Sequence, residues 1–136
     1  MAKTKAFEIA ELIRVFKYNT ATDEIETNKR TKDKNKSRGQ QTKTATTQFA
    51  LDTFAHADFR AARYIVAMKE GTDFHSSEIM LVHDGSSVTM TQYGTLKSKS
   101  LATFDADISG ANVQLLCTPA STSSTVIKFD RTVVDA

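Results

Sequence analysis

The sequence predicts a mainly β protein: an antiparallel β-sandwich, jelly-roll-like, preceded by a short N-terminal α-helix and an extended arm. From residue 48 onward, alternating apolar and polar runs are separated by turn residues, without an intervening helical pattern. Residues 20–47 hold almost no large apolar side chain, whereas residues 6–18 show a helical apolar stripe. We therefore divide the chain into residues 1–47, the helix and basic arm, and residues 48–136, the sandwich domain. A closed barrel would give the same pattern.

The size and cysteine content of the chain restrict how it can be stabilised. With 136 residues, 40% of them hydrophobic, it can build one modest core. The single cysteine, Cys117, excludes an intrachain disulfide, so stability must come from packing or association. Because Cys117 alternates with Val113 and Leu115, we expect a small buried hydrophobe and not an activated thiolate.

The N-terminal helix is predicted from four apolar residues at positions i, i+3, i+4 and i+7, namely Ile9, Leu12, Ile13 and Phe16. About three turns of helix are marginal alone in water, so the stripe needs a surface to lie on, either its own sandwich or a neighbouring subunit, and the long polar arm favours the neighbour. Charged residues interrupt the segment, which argues against a signal-peptide core or a membrane span and predicts synthesis in the cytoplasm.

The arm is strongly basic, although the whole chain carries only +2. Between Thr27 and Lys43 there are seven basic side chains and one aspartate, a local charge of +6. We expect the helix and arm to bind other assembly subunits or copies of the same chain, the arm through Lys29, Arg30, Lys32, Lys34, Lys36 and Arg38. Base-stacking aromatic residues are absent between Tyr18 and Phe49, which argues against nucleic acid as the partner.

The first strands of the sandwich follow from period-2 alternation. Phe49 and Leu51 alternate with polar or small residues in a short strand, and the stretch 60–69 forms a longer one. Its inward face is predicted to hold Ala62, Tyr64, Val66 and Met68. The stretches 78–83 and 88–93 flank Asp84-Gly85-Ser86-Ser87, which predicts a hairpin with Gly85 at positive φ.

Three further strands complete the sandwich. Apolar and polar residues alternate within the stretches 104–108 and 113–117, which lie on either side of a turn at residues 109–112. Pro119 ends the second strand. The stretch 126–134 is rich in β-branched residues and reads as the closing strand.

The residues that could carry chemistry favour structural roles. His56, His75 and His83 lack the spacing of metal-ligand motifs, and we expect exposed hairpin histidines with no metal and no cofactor. His83 and Asp84 beside two serines suggest a nucleophilic triad, but Asp, Gly and Ser are also what a hairpin turn requires. We therefore assign no catalytic residue and expect no enzymatic activity.

Four motifs, in this order, resemble a β-domain of virion structural proteins from marine and cyanobacterial tailed bacteriophages. They are R-Y-x-V at 63–66, E-I-M-L-V-H-D-G at 78–85, T-x-Y-G-T at 91–95 and A-T-F-x-A-D-I-S-G at 102–110. The resemblance covers about the last 90 residues. It implies a tail-fibre or appendage part, a structural role and not a chemistry. The chain departs from a long fibre in having no shaft repeat.

The resemblance and the arm lead to one hypothesis and two alternatives. The first is a non-enzymatic structural protein of the tail, neck or fibre apparatus, located in the virion, assembled in the host cytoplasm and attached through its N-terminal helix and arm. One alternative is a capsid decoration protein whose arm follows grooves between capsid subunits. The other is a module that binds host-surface glycans through Tyr64, Tyr93, His75 and His83. Glycoside hydrolysis ranks last, since no paired carboxylates stand out.

Overall fold

The computed structural model describes residues 35–136, which form one compact unit, Asn35–Ala136. The predicted helix and the arm residues before Asn35 lie outside the described residues. The unit consists of eight strands: β1 (Lys36–Lys43), β2 (Phe49–Ala55), β3 (Phe59–Glu70), β4 (Asp73–His83), β5 (Val88–Lys97), β6 (Ala102–Ser109), β7 (Asn112–Pro119) and β8 (Thr125–Asp135).

The strands form two antiparallel sheets. One has five strands in the order β1-β8-β3-β4-β5, and the other has three in the order β2-β7-β6. The first strand thus pairs with the last and the second with the second-last, as in a jelly roll, but β3, β4 and β5 are consecutive neighbours in one sheet, where the order departs from that topology. For the described residues, the predicted antiparallel β-sandwich is confirmed, and the strands form two sheets and not one closed barrel.

The core is built from alternate residues of both sheets. The predicted inward face of β3 is confirmed, because Ala62, Tyr64, Val66 and Met68 are all buried. They meet the buried side chains of β4 and β8 in their own sheet, and of β2, β7 and the start of β6 in the other: Ile79, Leu81, Ile127, Phe129, Val133, Leu51, Phe54, Val113, Leu115, Cys117, Leu101 and Ala102. Burial of these apolar side chains is the main source of stability in a domain without a disulfide.

The hairpin between β4 and β5 has the turn chemistry that the sequence predicts. Gly85 adopts a φ of 97°, a region that favours glycine. The Asp84 carboxylate accepts hydrogen bonds from the backbone N–H groups of Ser86 and Ser87, at 2.8 and 2.7 Å. These bonds lower the pKa of Asp84, that of Ser87 contributing most. Asp84 is therefore a turn residue.

Strand β1 lies within the segment that the sequence assigned to the arm, and here the structure differs from the prediction. All eight of its residues, Lys36–Lys43, pair with β8 in antiparallel register. None of them belongs to the buried hydrophobic core. The strand forms because β8 offers a free edge, and no hydrophobic alternation in β1 itself announces it.

Two inward contacts fix β1 on the sandwich. Gly39 lies opposite Phe129, whose ring would stand only 2.6 Å from a Cβ atom added to the glycine. A buried aromatic ring over an edge glycine is a recognised way to fix strand register. The Gln41 amide donates to the carbonyl oxygens of Ala50 and Leu51, both at 3.3 Å, and so joins β1 to the other sheet.

Within the described residues, no helix has the length and apolar character needed to cross a membrane.

Candidate functional site

The outer face of the five-stranded sheet exposes apolar side chains, although the solvent-facing side of a sheet in a monomer usually carries polar ones. Ile65, Met80, Val82 and Val134 point away from the core and are 44%, 49%, 48% and 61% exposed. We call these four residues the apolar patch. Val134 and Val82 lie on either side of Ala61 in one row across the sheet, and Met80 and Ile65 lie in the next rows. Contiguous exposed apolar side chains mark interaction surfaces in soluble proteins.

A shallow groove runs along the β4–β5 side of this patch. Met80 lies opposite Thr91, and Val82 lies opposite Thr89. Together with Ala61 these side chains line the groove without any charged residue. A surface of this kind suits contact with apolar or uncharged groups of a partner.

A polar cluster borders the patch where β5 is irregular. The register between β4 and β5 shifts at Glu78/Ile79, so that Tyr93 becomes an extra residue of β5. A hydrogen bond from the Tyr93 hydroxyl to the Glu78 carboxylate raises the pKa of Tyr93, an effect that the charge of Arg63 opposes. Tyr93 remains half exposed. The bulge therefore presents an aromatic ring and two charged groups at the edge of an apolar surface.

Of the six arm residues predicted to bind a partner, Lys36 and Arg38 lie on β1, and both are exposed on the same outer face. Arg38 forms an ion pair with Asp130 at 3.7 Å, with both side chains largely solvated. Lys29, Arg30, Lys32 and Lys34 fall outside the described residues, as do Ile9, Leu12, Ile13 and Phe16 of the predicted helix. Their proposed contacts with a partner therefore stay predictions.

His75 and His83 were expected to be exposed, and this is wrong. Only 2% and 4% of their surfaces are accessible, because both face the core on alternate positions of β4. The two residues have the same parity on β4 and therefore face the same side of the sheet. Main-chain groups bond to both rings: His83 is bonded at both nitrogens and His75 at Nδ1, whereas the buried Nε2 of His75 has no hydrogen-bond partner among the described residues.

The two histidines act as main-chain partners. The Nδ1 atom of His83 accepts from the Gly85 N–H at 3.0 Å, which leaves Nε2 to donate to the Phe59 carbonyl at 2.6 Å. His75 Nδ1 accepts from the Leu101 N–H at 3.0 Å. The His83 ring is therefore occupied and does not activate Ser86 or Ser87. A triad at this turn is excluded by the geometry of the described residues.

The structure also corrects the proposed glycan-binding set. Tyr64 is fully buried, as are the two histidines, so of Tyr64, Tyr93, His75 and His83 only Tyr93 reaches the surface. Any ligand contact by this set is confined to Tyr93 and its neighbours Glu78 and Arg63.

A buried ion pair is the main feature that sequence reasoning missed. Strand β2 bulges between Ala50 and Asp52, which turns Asp52 inward although simple alternation places it outward. Its carboxylate accepts from the Tyr64 hydroxyl and the Arg131 guanidinium, each at 2.8 Å. Burial and the Asp52 charge raise the pKa of Tyr64, which stays protonated and donates. No local sequence signal announces the bulge.

The thiol and the potential metal ligands of the described residues are the remaining groups with possible reactivity. Cys117 is buried, as predicted, and burial raises its pKa to about 12. Residues 35–136 contain no group of three or more histidine, cysteine, aspartate or glutamate side chains that would hold a metal ion.

No protein-family model matches the sequence, and no curated protein matches it significantly. Among solved structures, the tailspike protein of Acinetobacter baumannii phage AM24 is similar, with a TM-score of 0.47 and 9% identity over 74% of this chain. The tailspike of Acinetobacter phage vB_ApiP_P1 has a TM-score of 0.44 and 15% identity over 75%. Tailspike gp49 from Acinetobacter baumannii bacteriophage Fri1, a capsular polysaccharide depolymerase, has a TM-score of 0.33 and 13% identity over 74%.

This chain corresponds to only part of each tailspike. The aligned region spans 26%, 22% and 20% of the three proteins in the same order. Similarity at this level does not transfer a function from the tailspikes to this chain.

Proposed function

We propose that the chain is a non-enzymatic structural protein of a bacteriophage virion, in the tail, neck or fibre apparatus. In this role the N-terminal helix and the basic arm attach it to neighbouring subunits, and the sandwich forms a second contact surface. The observation that carries the proposal is the apolar patch, Ile65, Met80, Val82 and Val134, on the outer face of a sheet whose inner face already forms the core. The family resemblance of residues 59–134 supplies the phage context.

The hydrogen bonds of the histidine and aspartate side chains that could otherwise act in catalysis support a structural role. His75 and His83 bind main-chain groups, and Asp84 caps a turn. Asp52 is engaged by Tyr64 and Arg131. A catalytic acid, base or nucleophile must instead have a free atom at an accessible surface. These residues serve the fold.

Two alternatives differ from this proposal in location or ligand. A capsid decoration protein would use the same arm and patch on a capsid lattice, and a map of the particle separates the two positions directly. A glycan-binding role now depends on Tyr93, Glu78 and Arg63, since aromatic rings beside charged groups suit sugar recognition. A glycan array with the multimeric domain tests this second alternative.

Removal of residues 1–34 from the phage gene tests the attachment role. The deletion stops before Asn35 because a longer one, through residue 45, would remove β1 and leave the edge of β8 unpaired. We expect the truncated protein to fold, since Asn35–Ala136 is one compact unit, but to be missing from purified particles.

Point variants in the intact chain serve as controls for this test. Leu12→Asp combined with Phe16→Asp should also prevent incorporation, because both substitutions fall on the predicted apolar stripe. Lys17→Asp, off the stripe, should incorporate normally. Particles that contain the truncated protein at the normal copy number would contradict the attachment role.

A further inference from the structure

The two outer faces of the sandwich carry charges of opposite sign. On the three-stranded sheet, Asp105 and Asp107 of β6 point outward and are exposed. Within the described residues neither aspartate forms an ion pair, and no lysine or arginine lies at an outward position of β2, β6 or β7. The remaining outward positions hold threonine, serine, glutamine, asparagine, alanine and the half-buried Leu116. This acidic face is otherwise uncharged.

The five-stranded sheet presents the complementary surface. Its outward positions carry two acidic residues, Glu78 and Asp130, and five basic ones, Lys36, Arg38, Arg63, Lys69 and Lys128, a difference of +3. Lys69 and Lys128 are diagonal neighbours on β3 and β8, because Lys69 lies opposite Val126 and Lys128 opposite Ala67. Neither lysine has an ion-pair partner among the residues described. The basic face also contains the apolar patch.

Each face also has an apolar centre. On the acidic face, Leu116 lies between Asp105 and Ala50 across the sheet. On the basic face, Ile65 lies between Asp130 and Glu78, with Met80 diagonal to it. Contact between the two faces would bury apolar groups, and an offset along the strands that sets Asp105 and Asp107 against Lys69 and Lys128, beyond the row of Glu78 and Asp130, would pair opposite charges.

We propose that the acidic face of one copy of this chain binds the basic face of another copy. Two basic faces brought together would oppose a net charge of +3 with another of +3, so a contact of one face with itself is disfavoured. The front-to-back contact uses two different surfaces and therefore repeats from copy to copy, closing into a ring or extending as a filament. The inference deepens the proposed assembly function by naming a partner and a surface.

Charge reversal in the full-length chain tests the contact. We expect the wild-type protein to form assemblies in sedimentation experiments and to shift toward monomer as salt is raised. Asp105→Lys with Asp107→Lys should give a monomer, and so should Lys69→Glu with Lys128→Glu. Mixing the two double variants in equal amounts should restore assemblies, because each then offers one face that complements the other variant.

Two exposed aspartates provide the control for the charge reversal. Asp58→Lys with Asp135→Lys makes the same change of charge at exposed positions that are not among the outward positions of either sheet and should leave association unchanged. Circular dichroism verifies that every variant is folded. A wild-type monomer at all concentrations, assembly of either double variant alone, or no restoration on mixing would each overturn the proposal. Incorporation of the wild-type chain into particles despite such a result would leave the virion role intact, so the two failures are distinguishable.

Discussion

At the scale of single residues, Asp52 and Arg131 form the least exposed ion pair of the described residues. The two side chains are 15% and 10% exposed, and the guanidinium also lies over the rings of Phe54 and Phe59. Removal of one partner from a buried pair leaves the other charge uncompensated, which is more costly than the net contribution of the intact pair. The β2 bulge, which turns Asp52 inward, is what allows this pair to form.

Asp52→Ala is expected to lower the free energy of unfolding by about 3 kcal/mol, because Arg131 loses its counter-charge and Tyr64 its acceptor. Urea denaturation measures the change. Asp130→Ala is the matched control, since its pair with Arg38 is solvated, and its effect should stay below about 1 kcal/mol. Equal losses of stability in the two variants would show that burial does not determine the cost of removing one partner of an ion pair.

His75 makes the stability of the domain depend on pH. Burial, together with the positive charge of Lys97, lowers the pKa of His75 in the folded state. The unfolded chain, with a histidine pKa of about 6.5, then binds the proton more readily than the folded one. The stability that neutral His75 contributes is therefore fully present above a pH of about 6.5 and decreases as the pH falls below it.

His75→Asn tests this effect, because an amide oxygen can accept from the Leu101 N–H but does not titrate in this range. Urea denaturation at pH 7.5 and pH 5.5 should show a larger loss of stability in the wild-type protein than in the variant. The same loss in both proteins would show that His75 is not the group responsible.

At the scale of elements, prediction from sequence succeeded where local chemistry decides the structure. The Asp84–Ser87 turn was predictable because an aspartate acceptor and a glycine at positive φ are local requirements. The β3 face was predictable because its alternation is unbroken. Strand β1 and the β2 bulge were not, since pairing with β8 and contacts with Tyr64 and Arg131 involve residues far along the chain. The burial of His75 and His83 depends on distant main-chain partners in the same way.

Gly39→Ala should destabilise β1. The added methyl group would meet the Phe129 ring at 2.6 Å, and that ring is itself packed edge-on against Tyr64. Overpacking costs about 1–3 kcal/mol and exceeds the gain of about 0.4–1 kcal/mol from reduced chain entropy. We expect a net loss of about 1–2 kcal/mol in thermal or urea denaturation.

Gln40→Ala is the control for this substitution, since Gln40 points outward on the same strand, and it should change stability by less than about 0.5 kcal/mol. Stabilisation by Gly39→Ala would mean that Phe129 yields without cost and that the contact does not fix the register.

At the scale of the whole molecule, the sandwich has one acidic and one mainly basic outer face. The sequence showed the excess of positive charge in residues 27–43, but the separation of charge between two sheets arises only when the strands are assigned to them. Asp105 and Asp107 are unremarkable in the sequence and become neighbours on one face through their common parity on β6. The candidate surface was therefore not predictable as a unit, although each strand that forms it could be recognised.

The pairing of β1 with β8 has a mechanical consequence for a subunit held by its N-terminal segment. Tension applied to that segment enters the domain at Lys36, the first residue of β1. When the pull runs along the strand, it loads all eight cross-strand pairs at once and does not open them one by one. The hydrogen bonds from Gln41 to the other sheet share this load. A strand with no buried hydrophobic residue thus becomes the point at which the domain resists being pulled from its anchor.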